Sequence, residues 1–471
     1  MPLRIKPLYL CIIIASVFYT ALTFFSASIP FFWDGETFSR TAHYIYENSF
    51  SSFIVPVDCD TGNFPFFGTY MAVWWTIFGR SLLVSHIAML PFLLGITWEF
   101  FILANRFLPP KYLPLLLLLL ILQPVLLTQS IIMGYDLMMV YFFFLALNFL
   151  GSKKFVLYSF SLVLLCLSNM RGVILLPALL LFQIILLRHQ QMKLKIKYFL
   201  PYLLPVIILC FWTFYHHAQT GWYLSSPLRS STDEHFVSAV MMLRQFIYIL
   251  WKFADFGMII PLLFFIITTI IFFLKKKTDS KIKQLIFIMS VIMICLMLFM
   301  VPLSNPVGHR YFIIPSLLLL LSCVYLLSFF KREFVKYFII GFFAVSMITG
   351  NFWIYPERFG NGWDSSLKVL PFFKMEKNVH EYTKKLNVQL DQIAAGFPLF
   401  SDLRYTYLEE NNSRFADIDD KPMNEYKYIL YSNVSNNFPL ETKKTIEKSW
   451  IPLKTFRSGM VYIIVYRNPS L

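Results

Sequence analysis

The stretch 64-FPFFGTYMAVWWTIFG-79 decides the topology of this chain. It is apolar throughout, and whether it crosses a bilayer sets the side on which every later loop lies. At 16 residues it falls short of the roughly 20 that a spanning helix needs. It carries Trp74 and Trp75, and aromatic rings favour the headgroup region. The run therefore reads as a helix lying in the membrane interface.

Composition puts a membrane around it. Of 471 residues, 58% are hydrophobic and only 14% charged, whereas soluble domains run nearer a quarter charged. Apolar runs recur from Leu8 to Trp353. The first, 8-LYLCIIIASVFYTALTFFSAS-28, has no small-residue cleavage site and reads as a retained span, not a removed signal. The formal charge of +15 is explained without nucleic acid. Lys and Arg cluster at 4–6, 106–111, 153–154, 188–197, 275–283 and 331–336, with Asp279 and Glu333 the only acids there. Short basic loops between spans mark the cytoplasmic face. Six scattered cysteines include no C-x-x-C pair, so neither a disulfide framework nor a zinc site is expected.

An even number of crossings must separate one cytoplasmic cluster from the next. That rule needs 64–79 to stay in the interface, and it splits the 33-residue run 155–187 at 168-SNMRG-172; as one helix that run would be about 50 Å long. Spans follow near 198–217, 244–273, 284–303, 311–330 and 334–354. The expected fold is a polytopic α-helical membrane protein of about 11 transmembrane helices, with interfacial helices in the first outer loop. The amino terminus is then cytoplasmic, residues 1–354 form the membrane domain, and 355–471 form a small extracytoplasmic α/β domain. In that tail, 374-KMEKNVHEYTKKLN-387 is helix-like, and 450-WIPLKTF-456 with 460-MVYIIVY-466 reads as a hairpin.

On this topology the outer loops collect the ionisable residues. Asp34 and Glu36 stand in the first, in 31-FFWDGETFSR-40; Asp136 in the second, in 131-IIMGYDLMMV-140; Arg171 in the third; Asp233 and Glu234 in the fourth; His309 and Arg310 in the fifth, in 304-SNPVGHRYFIIP-315. A charge near the bilayer centre costs about 2.5–3.5 kcal/mol on insertion scales, so such groups face a cavity or one another. Asp136 and Arg310 directly abut apolar runs and need the most explanation.

Five elements, WDGETFSRTAHYI, NFPFFGTYMAVWWTIFG, GYDLMMVYFFFLAL, LSNMRGVILLP and GHRYFIIPSLLLL, run in order from residue 33 to about 320. Together they resemble the GT-C glycosyltransferases, in the branch of the aminoarabinose transferases and protein O-mannosyltransferases. The resemblance implies an inverting transfer of a sugar from a polyprenyl-phosphate donor to a lipid, glycan or protein acceptor. It implies Asp34 as general base and Asp136 as a second acid, with Glu36, Arg171, His309, Arg310 and Tyr311 on the substrates. The chain departs from the pattern at Phe64-Pro65-Phe66, where the family usually has a His-Pro-Pro or Pro-Pro, and at Arg171, where it usually has Lys. The physical reading agrees. Arginine forks match phosphate oxygens, and a carboxylate can take the proton of the attacking hydroxyl.

Plainer roles stand beside these. Asp34 and Asp136 would serve as helix caps, Arg171 would snorkel to headgroups, and Arg310 would be a structural partner for Asp136 or Glu36. Asp58 and Asp60 in 57-VDCDTGN-63 read better as a turn than as a metal loop. His216 and His217 read as interface anchors. The stretch 359-FGNGWDSS-366, which presents Trp363 and Asp364 near the membrane, reads as a linker turn in preference to a segment packed over the cavity. Sequons stand at Asn411 and Asn433. No nucleotide-binding signature or cofactor is expected, and no metal. Competing functions are a lipid-linked-saccharide flippase or transporter, which would show internal repeats, and an oligosaccharide polymerase or ligase, with its chemistry between late spans. The Ile-, Lys- and Asn-rich composition suits an A·T-rich bacterial genome and an inner membrane.

Overall fold

A computed structural model describes residues 6–189, 195–223, 236–276, 279–304, 307–356, 359–410, 412–435 and 438–471. Asp233, Glu234 and Asn411 lie outside the described residues. The chain is mostly helical and ends in a small sheet. Among the described residues seven helices are long and apolar enough to cross a membrane, or nine if two bent pairs each count as one.

The helices are α1 (Pro7–Phe25), α2 (Asp34–Glu47), α3 (Phe66–Phe78), α4 (Leu82–Phe107), α5 (Leu113–Leu122), α6 (Pro124–Ile131), α7 (Asp136–Gly151), α8 (Phe155–Ser168) and α9 (Met170–His189). They continue as α10 (Leu203–Thr220), α11 (Ala239–Ala254), α12 (Ile259–Leu274), α13 (Ser280–Met300), α14 (Ile313–Leu327) and α15 (Glu333–Gly350). Every residue of α14 is buried. It is apolar on all sides, as befits the centre of a bundle. Helix α3, the deciding stretch, has 13 residues, about 20 Å at 1.5 Å per residue and short of a 30 Å core.

The expected break at 168-SNMRG-172 is present: α8 ends at Ser168, Asn169 is extended, and α9 starts at Met170. Two runs expected to be single spans are not straight. The 112–130 run bends by 56° between α5 and α6, where Pro124 opens the new helix and the Gln123 side chain accepts from Leu126 N at 2.5 Å. The 244–273 run bends by 98° between α11 and α12. Its corner is Asp255 to Met258, with Phe256 and Gly257 both at positive φ. A Cβ on Gly257 would stand 2.0 Å from the Ser346 carbonyl of α15, so only glycine fits.

Four of the six basic clusters are tied together at one end of the bundle. Arg106 reaches Ser152 Oγ at 3.1 Å, Lys281 Nζ reaches Phe107 O at 3.4 Å, and Lys111 lies 3.6 Å from Glu333. The even-crossing rule required this sharing of one end. The amino ends of α2, α7 and α9 lie at the other end, where the carboxy-terminal unit sits.

That unit carries α16 (Leu370–Lys385), the short α17 (Leu403–Thr406) and α18 (Leu440–Ser449). Its strands are β1 (Ile393–Ala395), β2 (Ala416–Asp417), β3 (Tyr428–Ser432), β4 (Ile451–Ser458) and β5 (Val461–Arg467), in sheet order β2-β1-β3-β5-β4. β1 is parallel to β2 and β3, and β5 is antiparallel to β3 and β4. The expected hairpin is β4–β5, turning at Gly459 with φ +59°. An aromatic seam joins the unit to the bundle: Phe32, Ile131 and Ile132 pack with Trp363, Phe372 and Phe373. All six cysteines are free.

Two stability measurements follow. Gly257→Ala meets both a left-handed backbone and a backbone carbonyl, and should cost about 2 kcal/mol or more, read as a lower unfolding midpoint in detergent. In the carboxy-terminal unit, burial lifts Glu376 from its ordinary 4.5 to about 7, and Tyr407 donates to its carboxyl at 2.6 Å. A raised carboxyl binds its proton more tightly folded than unfolded, so stability is lost as pH climbs through that window. Glu376→Gln should therefore be more stable than the parent at pH 8, by up to roughly 3 kcal/mol, and should lose that advantage near pH 4.5.

Candidate functional site

Four helical amino termini converge where the bundle meets the carboxy-terminal unit. Asp34 is the first residue of α2, Asp136 the first of α7 and Arg171 the second of α9. Arg310 lies in the short turn His309–Phe312 that leads into α14. A helix amino terminus favours an anion and disfavours a cation. The two aspartates sit where the backbone helps them. The two arginines sit where it opposes them, and both are buried, so both need acids close by.

The acids are there. Asp136, fully buried, pairs with Arg171 and lies 3.0 Å from Arg310 Nε through its other oxygen, off the line of a good hydrogen bond. Arg310 also pairs with Asp34 and with Asp364. Tyr135 ties the set together. Its hydroxyl donates to Asp34 at 3.3 Å and accepts from Arg310 at 3.1 Å and Arg171 at 3.4 Å. Tyr311 lies flat under Arg171, with the guanidinium carbon 3.8 Å from the ring centre. Asn169, at the α8–α9 break, accepts from Arg171 N at 2.9 Å and from its Nε at 3.2 Å.

Three carboxylates thus face two guanidinium groups, and their exposures differ. The Asp34 side chain is 41% exposed, whereas those of Asp136 and Asp364 are at most 7%. Trp33, just before Asp34, holds φ +57°, a backbone cost of about 1–2 kcal/mol that fixes where α2 begins. Arg171 Nη1 is buried with no hydrogen-bond partner among the described residues. A small recess beside the cluster is lined by Phe32, Asp34, Gln129, Tyr135, Arg310 and Asp364.

The structure brings together Asp34, Asp136, Arg171, Arg310 and Tyr311. It does not bring in Glu36 or His309. Glu36 turns away and pairs with Arg40 at 2.6 Å, and burial raises its pKa against the pull of that arginine. His309 Nε2 meets Asp255 Oδ2 at 2.8 Å, at the α11–α12 corner, where Tyr355 also bonds Asp255. The ring stacks on Phe256 at 4.4 Å and lies 6.0 Å from Trp251. Close by, Lys368 is lowered to about 7 by burial and donates to the Trp353 and Asn361 carbonyls at 2.7 and 2.6 Å. It pins the segment that delivers Asp364.

Two members were not singled out from sequence. Tyr135 is one of 26 tyrosines, and only its place beside Asp136 sets it apart. Asp364 stands in 359-FGNGWDSS-366, read above as a linker turn. Instead Trp363 and Asp364 are buried, and Gln129 donates to the Asp364 carbonyl at 2.7 Å. The 57–63 loop is a turn as expected: Gly62 N donates to Asp60 Oδ1 at 2.8 Å, and Trp222 Nε1 to Oδ2 at 3.2 Å. His216 bonds the Trp222 carbonyl and lies 3.9 Å from Asp60. Among the described residues no three His, Cys, Asp or Glu side chains are grouped to hold a metal.

Comparison with protein-family models, curated proteins and solved structures found no match.

The cluster predicts an order of stability losses. Asp136→Ala strands the buried Arg171 guanidinium and should cost about 3–5 kcal/mol. Asp34→Asn removes a half-exposed, water-screened partner and should cost no more than about 1 kcal/mol. Thermal unfolding of the two purified variants in one detergent measures the difference, and equal losses would contradict the geometry.

Proposed function

We propose that this chain is a membrane glycosyltransferase that moves a sugar from a polyprenyl-phosphate donor to an acceptor on the extracytoplasmic side, with inversion. The observation that carries the reading is a half-exposed carboxylate, Asp34, paired with buried Arg310 and linked through the Tyr135 hydroxyl to buried Arg171, at converging helix amino termini. That sets two cations able to bind a phosphate beside one acid able to meet an incoming acceptor.

The chemistry divides between the groups. The donor's phosphate lies against Arg171 and Arg310, whose forks neutralise the charge left as the bond between the anomeric carbon and phosphate oxygen breaks. Asp34 takes the proton of the acceptor hydroxyl as its oxygen attacks that carbon from the opposite face. Polyprenyl phosphate leaves with the bonding pair. Asp136, buried behind and bound to both arginines, positions them. Tyr135 holds Asp34 and both guanidinium groups in one frame.

A groove gives the donor's hydrocarbon a path. It has a volume of about 650 Å³ and is lined by Val240, Leu243, Ile247 and Trp251 of α11, with Tyr355 and Phe359. It runs to Trp251, which packs on His309, the neighbour of Arg310. On this reading His309 braces the groove's inner end and does not touch phosphate. The gathered basic loops face the cytoplasm by the positive-inside rule, which puts the cluster and the carboxy-terminal unit outside, in a bacterial inner membrane.

The test is transfer in membranes together with lipid analysis of a deletion strain. Loss of the gene should leave a polyprenyl-phosphate sugar accumulating and one glycan, glycolipid or glycoprotein short of that sugar. Asp34→Asn should lower transfer at least ~100-fold, the scale of a lost general base, while the protein stays folded. Near-normal transfer by Asp34→Asn, or unchanged carrier and glycan pools in the deletion strain, would overturn the proposal.

A further inference from the structure

At the opposite end of α7 from Asp136, about 22 Å away at 1.5 Å per residue, lies a second recess of about 450 Å³. It sits among the ends of α4, α7, α9 and α13, with Leu318 of α14 closing its back. Its volume falls in the range of small-molecule sites, roughly 300–1,000 Å³. Its surfaces are of two kinds. The inner walls are apolar, Leu147 and Phe182 among them, and the rim carries Arg106, Ser280, Lys281 and Gln284. No acid lines it.

The rim is built, not incidental. Arg106 donates through Nη2 to Asn148 O and Ser152 Oγ, both at 3.1 Å, so it caps the carboxy end of α7. Its Nη1 lies over Gly151, where a Cβ would stand 1.9 Å away; only glycine lets the guanidinium lie there. Lys281 is exposed and reaches across to Phe107 O at 3.4 Å. The two nearby acids are held elsewhere: Glu99 by the Asn148 amide at 2.7 Å, and Asp279 by the Tyr325 hydroxyl and Ile282 N. The recess therefore carries two cations on its rim, neither in contact with a carboxylate among the described residues, over an apolar slot between apolar helices.

We infer that this recess binds an anionic phospholipid of the surrounding membrane, its headgroup phosphate between Arg106 and Lys281 and an acyl chain along Leu147 and Phe182. Basic pockets between membrane helices recognise anionic headgroups by this combination of charge and apolar wall. Bound lipid would join α4, α7, α9 and α13 at the end remote from the cluster, and two of those helices carry Asp136 and Arg171. The inference rests on membrane residence and not on the transferase reading.

Native mass spectrometry of the full chain in detergent, titrated with dioleoyl phosphatidylglycerol or dioleoyl phosphatidylcholine, tests it. The parent should prefer phosphatidylglycerol at least ~10-fold. At about 1 kcal/mol per basic group, Lys281→Gln should weaken that binding ~5-fold and Arg106→Gln/Lys281→Gln ~30-fold, leaving phosphatidylcholine unchanged. The exposed Lys281 has little to do with folding, so its single variant keeps the test sound if the double variant folds poorly. Lys283→Gln, on the same helix but off the recess, should change nothing. Equal binding of the two lipids, or equal weakening by Lys283→Gln, would overturn the site.

Discussion

Two arginines buried at the amino ends of helices set the terms for the rest of this structure. A guanidinium there has lost most of its water and faces the positive end of a backbone dipole, so it persists only with carboxylates in contact. Arg171 and Arg310 draw Asp136, Asp34 and Asp364 from three separate parts of the chain. Asp136 belongs to α7 and Asp34 to the first loop, while Asp364 belongs to the segment after the last long apolar helix. A buried ion cluster of this kind adds little net stability over an apolar core. Its stronger effect is on register, because a helix that slid by one residue would strand a charge.

The cluster also explains why the carboxy-terminal unit is docked and not tethered. Aromatic packing between Phe32, Phe372 and Phe373 supplies contact area, but apolar surfaces alone tolerate rotation. Asp364 paired to Arg310, the Gln129–Asp364 bond, and Arg404 at 2.5 Å from Glu47 fix the angle. Phe31 N donating to Thr406 O at 3.0 Å adds a backbone tie. These polar contacts fall on both sides of α2, the helix that presents Asp34. The position of the exposed acid therefore depends on the unit seated over it.

How much of this could be read beforehand follows from the range of each signal. Helix positions, the break at Asn169 and the shared end of the tied basic loops come from local hydropathy and charge, and these were legible. So were Asp136 and Arg310, because a charge abutting an apolar run has few inexpensive explanations, while Asp34 and Arg171 stood out through the order of the five motifs. The α11–α12 corner was not. A 98° turn inside an apolar run leaves its trace in Gly257, and what makes that glycine necessary is a carbonyl on α15, about 90 residues later. Asp364 was hidden for the same reason: an acid in a Gly-rich loop looks like a turn until its partner is known. His309 and Glu36 lie outside the cluster. They stand one and two residues from true members, yet in helical segments such neighbours face different directions.

Exposure then divides labour among three chemically identical side chains. Asp136 is sealed between both arginines, so on the transferase reading its part is to hold them. Asp34 is open to water, but at rest Arg310 holds it, and a carboxylate oxygen occupied by a guanidinium competes poorly for an acceptor's proton. With three acids on two arginines, a phosphate arriving at Arg310 adds negative charge that the cluster cannot hold unless one carboxylate yields. Asp136 cannot leave without becoming an unpaired buried charge, which costs several kcal/mol. Asp364 is tied through its backbone to Gln129. Asp34 can yield inexpensively, because water waits on its exposed side. On the transferase reading, arrival of the donor's phosphate is thus what frees the base, and the proton-accepting group is released only when there is a sugar to transfer.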